Sequence, residues 1–410
     1  MKYKIRLSKK DNAVKFLVSN KKKTNNNIEL SIVIPTFNEK KTIKKFIEWC
    51  NLGLTSAGLE KKSEIIIIDS SDDGTHKIAL DLGAKVVCAP LRGLGRAYLD
   101  GIEFVSGKYM ILGDADCTYD FRNLKNFYKK FKEGYEFIMG SRRKGNIQYG
   151  SMPILHRYFG IPVTNFLLNF IYDSKFSDIH CGMRGITKKT FYKMNLSSQK
   201  WGYASEMLIK AIRLNLKSTE TPISFYKAAN NRKSVHVREG WTSPWIAGIQ
   251  NLNQMLIFGS DLIFKKTFYF LFFPSCFYFF YTVFVSNSIV GYQFHFHWSF
   301  MFFTFIILSY LFLFFSKIIN VIYQIGLKKN SYKELLEKNL KLKISDIIIP
   351  SAGILFIVPT LYKYFISGSL DVNYIRTNIF LFGISLILFS VMRFFEYFFF
   401  KGIKKIFNIN

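Results

Sequence analysis

The chain has 410 residues, of which 49% are hydrophobic and 18% aromatic, with 44 Phe. Lys and Arg number 57 against 28 Asp and Glu, a net charge of +29, and the five cysteines (Cys50, Cys88, Cys117, Cys181, Cys276) lack paired spacing, which argues against a disulfide framework or a zinc site. Such a charge suits nucleic acid or an anionic membrane. The apolar residues concentrate after Lys266, which favours the membrane, and no nucleic-acid-binding motif accompanies the charge.

Residues 1–29 are basic and polar and read as a tail. Met1 to Lys10 lead into no apolar stretch, so no signal peptide is expected and the soluble part is expected to stay in the cytoplasm. An α/β domain is expected over residues 30–260. Short apolar runs at 30–35, 64–69, 84–88 and 108–112 read as buried strands, and the intervening stretches 40–54, 75–82 and 96–105 read as helices. This regular alternation predicts a doubly wound, mostly parallel sheet, whose ligands bind at the carboxyl ends of the strands. Residues 151–172 are apolar and aromatic but contain Pro153, Arg157 and Pro162, which suits helices lying in a membrane interface. A membrane domain is expected over 265–410, with spans at about 267–290, 298–315, 347–366 and 377–400, each long enough to cross roughly 30 Å of hydrocarbon. The lysine-rich stretches 316–346 and 401–405 are expected on the cytoplasmic side, which places both termini there. Arg393 and Glu396 are charges within the last span.

Asp114-Ala115-Asp116 follows the fourth strand directly. Two carboxylates one residue apart at a strand end can share a hard divalent cation, Mg²⁺ or Mn²⁺, which keeps positions open for substrate phosphates. Such a pair alone is a weak signal, and its neighbours along the chain decide its meaning.

Those neighbours are Ser31-Ile32-Val33-Ile34-Pro35-Thr36-Phe37-Asn38-Glu39, then Ile65 to Thr75 containing Asp69, then Arg92-Gly93-Leu94-Gly95-Arg96. In this order and spacing the motifs resemble the family 2 inverting glycosyltransferases of the GT-A fold. Gly140-Ser141-Arg142, Asp178-Ile179-His180-Cys181-Gly182-Met183-Arg184, Gly202 to Met207 and the basic stretch Arg232 to Trp241 are most similar to dolichyl-phosphate mannose synthases and bacterial polyprenyl-phosphate glycosyltransferases. The resemblance implies a membrane enzyme that moves a sugar from a nucleoside-diphosphate sugar (GDP-mannose, UDP-glucose or another UDP-sugar) to a polyprenyl phosphate. It implies that Pro35, Thr36, Glu39 and Asp69 hold the base and ribose, and that Asp114 and Asp116 hold the metal and diphosphate. Gly93 and Gly95 are expected to let the backbone approach the ligand. Arg142, Arg157 and Arg238 are candidates for the acceptor phosphate, and Arg232 and Arg238 for the donor diphosphate, because guanidinium forks match phosphate oxygens. Asp178 is a candidate catalytic residue with Asp116 and Arg142, whereas His156 and His180 are expected to be structural. The turn at Asp73-Gly74-Thr75 is expected only to start a helix.

A lipid phosphate is already anionic, so transfer to it needs no general base; a hydroxyl acceptor would need one. A hydroxyl-acceptor transferase and a non-enzymatic transporter of lipid-linked sugars are the competing readings. Thr118 stands where the mannose synthases usually have Gln, and Ile68 where a second Asp is frequent. The sugar and nucleotide therefore stay open, as does a homo-oligomeric state.

Overall fold

The computed structural model describes residues 3–19, 27–200, 202–228, 252–253, 255–286, 288–289, 292–293, 295–327, 331–341, 343–368 and 374–406. They divide into two compact units, Met1–Phe258 and Gly259–Asn410.

The first unit is built on a nine-stranded sheet. In chain order its elements are β1 (Tyr3–Leu7), β2 (Lys15–Ser19), β3 (Leu30–Thr36), α1 (Ile43–Ser56), β4 (Ser63–Asp69), α2 (Thr75–Asp81), β5 (Lys85–Cys88), α3 (Leu94–Gly101), β6 (Tyr109–Leu112), α4 (Lys125–Lys132), β7 (Phe137–Ile147), α5 (Ile161–Tyr172), β8 (Arg184–Thr187), α6 (Lys188–Met194), α7 (Gly202–Arg213) and β9 (Ser218–Phe225). The strand order is β1-β2-β5-β4-β3-β6-β8-β7-β9. The block β5-β4-β3-β6 is parallel, as the apolar runs predict. Ile32, Ile34 and Ile66 to Ile68 are fully buried there, because helices cover both faces. Beyond β6 the direction changes. β8 is antiparallel to both β6 and β7, while β9 runs parallel to β7. The sheet is therefore mixed rather than mostly parallel.

The N-terminal stretch read as a tail contains a hairpin. β1 and β2 pair antiparallel, and β2 adds to β5 with Phe16 opposite Val87. Val14 is buried in the turn before β2, and the Phe16 ring stacks on Phe104 at 4.6 Å. The Asp11 carboxylate ion-pairs with Arg92, and Ser8 Oγ donates to Glu103 at 3.0 Å. Its basic residues Lys4, Arg6 and Lys15 interleave with the apolar residues of a short hairpin, while Lys21, Lys22 and Lys23 lie outside the described residues.

The second unit contains α8 (Ser260–Phe284), α9 (Phe296–Gly326), α10 (Ser331–Leu340), α11 (Ser345–Ser367) and α12 (Tyr374–Ile406). Four of these, α8, α9, α11 and α12, are long and apolar enough to cross a membrane. α11 and α12 approach each other backbone to backbone. A Cβ on Gly353 would lie 2.8 Å from Gly383 O, and one on Gly383 would lie 2.8 Å from Gly353 O. Small residues of this kind let apolar helices pack where no hydrophobic drive exists between them. Arg393 and Glu396 are not loose charges: Arg393 Nη1 lies 2.7 Å from Glu396, and Lys317 Nζ lies 2.9 Å from the same carboxylate. Pairing of this kind is the usual state of ionisable groups within spanning helices.

Gly383→Leu is expected to force α11 and α12 apart and to lower the thermal midpoint of the second unit in lipid nanodiscs. Gly402→Leu, where a Cβ meets nothing within 4 Å, should leave it unchanged. Thermal unfolding of the two variants side by side checks this.

Candidate active site

The strand registers bring the chemistry to one edge of the sheet. Thr36 ends β3 opposite Asp69, which ends β4. β6 runs parallel to β3, so Asp114 and Asp116 leave the sheet at the same edge. Because β8 is antiparallel to β6, with Leu112 opposite Arg184, the residues that precede β8 return over the end of β6. β7 pairs Met139 with Arg184, so Gly140-Ser141-Arg142 arrives there too. The change of strand direction beside β6 is a topological switch point, where open sheets form their ligand crevice.

Asp114 is half-buried and Asp116 lies beside it. Burial, and then the charges of Asp116 and Glu39, raise the Asp114 carboxyl from the usual 3.8 to about 7, against the opposing pull of Arg184 and Arg142. Asp116 is oriented by its own turn. The backbone N–H and the hydroxyl of Thr118 both donate to Asp116 Oδ1, at 3.0 and 2.6 Å. Thr118, the departure from the related pattern, thereby fixes the second carboxylate. Gly182 comes close to the first: a Cβ there would lie 2.9 Å from Asp114 Oδ2 and 3.1 Å from the Tyr119 ring. Its N–H donates to Tyr119 Oη at 2.8 Å. Two crowded carboxylates, the first with raised proton affinity, fit a hard divalent cation, which would remove their repulsion. Among the described residues no group of three or more His, Cys, Asp or Glu forms a metal cluster. Asp114 and Asp116 are the residues that would hold such a cation, Mg²⁺ or Mn²⁺, here.

At the other end of the crevice, Thr36 Oγ1 and Ser71 Oγ donate to Asp69 Oδ1 at 2.7 and 2.6 Å. Asp69 Oδ2 is buried and accepts no hydrogen bond among the described residues; His76 Nδ1 stands 3.4 Å away. An unmet buried acceptor is costly, and a base or ribose donor would satisfy it. Thr42 Oγ1 donates to Glu39 at 2.7 Å, and the Glu39 N–H donates to Thr75 Oγ1 at 3.1 Å. Pro35 lies in β3 opposite Ile68. Asp73 Oδ1 accepts the Thr75 N–H at 2.9 Å at the start of α2, as expected for a helix start.

Gly93 and Gly95 admit the chain's own backbone. A Cβ on Gly93 would lie 2.6 Å from Gln199 O, and one on Gly95 would lie 2.0 Å from Ser198 O. Gly93 also has φ of 113°, a left-handed value that favours glycine. What approaches closely is the chain's own backbone, and the Arg96 N–H donates to Gln199 O at 2.9 Å. Glu206, quoted above only as part of a motif, anchors that backbone. It accepts the N–H groups of Ser197 and Ser198 at 3.0 and 2.8 Å and pairs with Lys210 at 2.6 Å.

Arg142 and Asp178 are both buried and are bound to each other. Arg142 Nε and Nη2 each donate to the Asp178 carboxylate at 2.7 Å, and the Arg142 N–H adds a third bond at 3.0 Å. Burial alone would raise the Asp178 carboxyl; the hydrogen bonds and charge of Arg142 outweigh it and hold the carboxyl below its usual range. His180 shares a 2.8 Å hydrogen bond with Thr164, and burial together with Arg142 and His156 lowers it to about 4, so it is neutral near pH 7. His156 is likewise lowered by burial. Arg157 lies in a π-helical turn, His156–Gly160, over the Tyr158 ring, and is not among the groups drawn onto the carboxylates. Arg184, given no role from the sequence, is buried, lies close enough to act on the Asp114 charge, and donates to Cys181 O at 3.0 Å. Arg232 and Arg238 lie outside the described residues.

Residues 31–194 match glycosyl transferase family 2. Over 213 residues the chain is 38% identical to the low-salt glycan biosynthesis hexosyltransferase Agl6 of Haloferax volcanii, covering 52% of this chain and 51% of that protein. It is 30% identical over 213 residues to the uncharacterized protein MJ1222 of Methanocaldococcus jannaschii, covering 48% of this chain and 82% of that one. It is 25% identical over 205 residues to the dolichyl-phosphate hexose transferase of Haloferax volcanii, covering 50% and 86%. The chain belongs to glycosyl transferase family 2. It spans about half the length of Agl6.

Two predictions follow from this geometry. Gly95→Ala should destabilise the first unit by roughly 1–3 kcal/mol through overpacking against Ser198, read as a lower denaturant midpoint with or without nucleotide sugar. Asp114 holds its proton up to about pH 7 in the folded chain, against the usual 3.8. This group therefore favours the folded state below the lower value, and the advantage is lost as pH rises through about 7. In EDTA the stability of wild type relative to Asp114→Asn should fall between about pH 4 and pH 7. Added Mn²⁺ should reverse the trend in wild type alone; thermal unfolding across pH checks both.

Proposed function

We propose that this chain transfers a sugar from a nucleoside-diphosphate sugar to a polyprenyl phosphate, with inversion at the anomeric carbon, on the cytoplasmic face of a membrane. The observation that carries the acceptor assignment is the state of Asp178. It is the carboxylate best placed by sequence to serve as a base, yet its oxygens face Arg142 and its proton affinity is depressed. A hydroxyl acceptor needs a base, whereas a phosphate oxygen arrives already charged. The name of one relative, the dolichyl-phosphate hexose transferase, supports the same class of acceptor.

Thr36, Glu39 and Asp69, with Pro35, receive the base and ribose, the unmet Asp69 Oδ2 taking a donor from the ligand. Asp114 and Asp116 hold the divalent cation, which when bound screens the charge of the leaving diphosphate. Arg142 is anchored by Asp178 through Nε and Nη2, and its Nη1 carries no hydrogen bond among the described residues; that nitrogen is directed to the acceptor phosphate. The phosphate oxygen attacks the anomeric carbon from the face opposite the diphosphate. The new carbon–oxygen bond forms as the bond to the nucleoside diphosphate breaks, and the product is an inverted polyprenyl-phosphate sugar.

Lipid access rests on two features. α8, α9, α11 and α12 have the length and composition of membrane spans. In the first unit, Ile154, Leu155, Tyr158, Phe159, Phe166 and Phe170 are each more than half exposed, an apolar patch that suits the membrane interface. The lysine-rich stretches between α9 and α11 and in the last turns of α12 support a site on the cytoplasmic side.

The test is transfer from radiolabelled UDP- and GDP-sugars to undecaprenyl or dolichyl phosphate with Mg²⁺ or Mn²⁺. An acid-labile labelled lipid is expected, and label on a hydroxyl instead would overturn the acceptor assignment. Asp116→Ala should lower turnover at least about 100-fold while the protein stays folded and membrane-bound.

A further inference from the structure

Helix α5 has two unlike faces. Val163, Phe166 and Phe170 point outward, with 67% of Phe166 and 56% of Phe170 exposed. The opposite face presents Thr164, Asn165 and Asn169 to the loop that carries Asp178. Asn165 Nδ2 donates to Ser177 O, and Asn165 Oδ1 accepts the Ile179 N–H at 3.1 Å. Asn169 Nδ2 donates to Phe176 O at 2.8 Å, while Asn169 Oδ1 accepts the Phe176 N–H at 3.1 Å and the Ser174 hydroxyl at 2.8 Å. One residue further on, Thr164 meets His180.

A carboxamide has one acceptor and two donor hydrogens, so it can serve an N–H and a C=O of passing backbone at once. Asn165 and Asn169 do this for Ser177/Ile179 and for Phe176. They replace the neighbouring strand that this loop lacks. From the other side Glu220 accepts the N–H groups of Ser177 and Asp178 at 2.7 and 3.3 Å. Asp178, so gripped, fixes the Arg142 guanidinium through its two oxygens. Asn165 is only 4% exposed. Its loss would leave buried backbone groups unpaired and free the loop to move.

The structure assigns Asn165 and Asn169 as positioning residues. They tie the Asp178 loop to the helix whose other face is apolar and exposed, so the Arg142–Asp178 pair is referenced to that helix as well as to β7 and, through Glu220, to β9. This rests on the acceptor reading above, in which Arg142 meets the lipid phosphate. It implies that loosening the clamp harms the acceptor step and spares donor binding.

The experiment uses the full chain in lipid nanodiscs as wild type, Asn165→Ala, Asn169→Ala and Asn169→Asp. Amide exchange is followed at Phe176 and Ile179, with the donor dissociation constant and kcat for transfer to polyprenyl phosphate. Exchange is expected to rise at least about tenfold at Ile179 in Asn165→Ala and at Phe176 in Asn169→Ala. In both alanine variants kcat should fall at least about tenfold, with donor affinity within about threefold of wild type. Asn169→Asp keeps the acceptor oxygen and should recover part of the loss. Unchanged exchange at these amides would overturn the assignment, as would raised exchange with wild-type kcat, or a loss shared equally by donor binding. If Asn165→Ala does not fold, Asn169→Ala decides alone, since its side chain is only half-buried. If wild type transfers nothing to polyprenyl phosphate, the acceptor reading falls, and the exchange data still decide whether the clamp exists.

Discussion

The hydrogen bonding on either side of β6 sets the geometry of this site. On one side β6 pairs parallel with β3, and on the other antiparallel with β8. The parallel pairing sends the ends of β3, β4 and β6 to one edge. The antiparallel pairing folds the chain before β8 back over that edge. Residues separated by up to about 150 positions, from Thr36 to Arg184, meet there because of this single change of direction. The glycines at the site are consequences of the crowding. Gly182 stands against Asp114, and Gly140 lies where a Cβ would be 2.8 Å from Met183 O.

Charge is handled in two ways. Most buried ions have a partner: Arg142 with Asp178, Lys210 with Glu206, Lys85 with Glu64, and in the helical unit Lys317 and Arg393 with Glu396. Such pairs add little net stability but are costly to break, so they fix geometry more than they strengthen the fold. The crevice departs from this rule. Asp114 and Asp116 repel each other, and Asp69 Oδ2 accepts no hydrogen bond among the described residues. The places where polar groups remain unmet are the places assigned to metal and nucleotide, which is how a fold retains binding energy for a ligand.

The parallel strands were legible because each is a short, wholly apolar run; Ile65 to Ile68 has no competing reading. The D-x-D pair was legible because it follows such a run. The hairpin at 3–19 was not, because its apolar residues alternate with lysines and its stability comes from Phe104 and Arg92, far along the chain. Gly93 and Gly95 announced a close approach but not of what. Ser198 and Gln199 are more than 100 residues away, and no local pattern names them. Arg142 was found from its motif, while its commitment to Asp178 appears only when β7 and β8 pair. Asn165 and Asn169 sat in a stretch read for its apolar residues, and their polarity gave no sign of its target.

The likeness to the family ends well inside the folded body. It runs from residue 31 to residue 194, yet the sheet is bounded by β1 and β2 before that stretch and by β9 after it. A fragment cut to the matching residues would leave β5 and β7 as bare edges, with open rows of amides and carbonyls ready to pair with other molecules. It would also lose Glu220, and with it one side of the grip on Ser177 and Asp178. The stretch that marks kinship is thus smaller than the folded sheet, and the N-terminal hairpin covers the β5 edge, leaving its own basic strand β1 outermost.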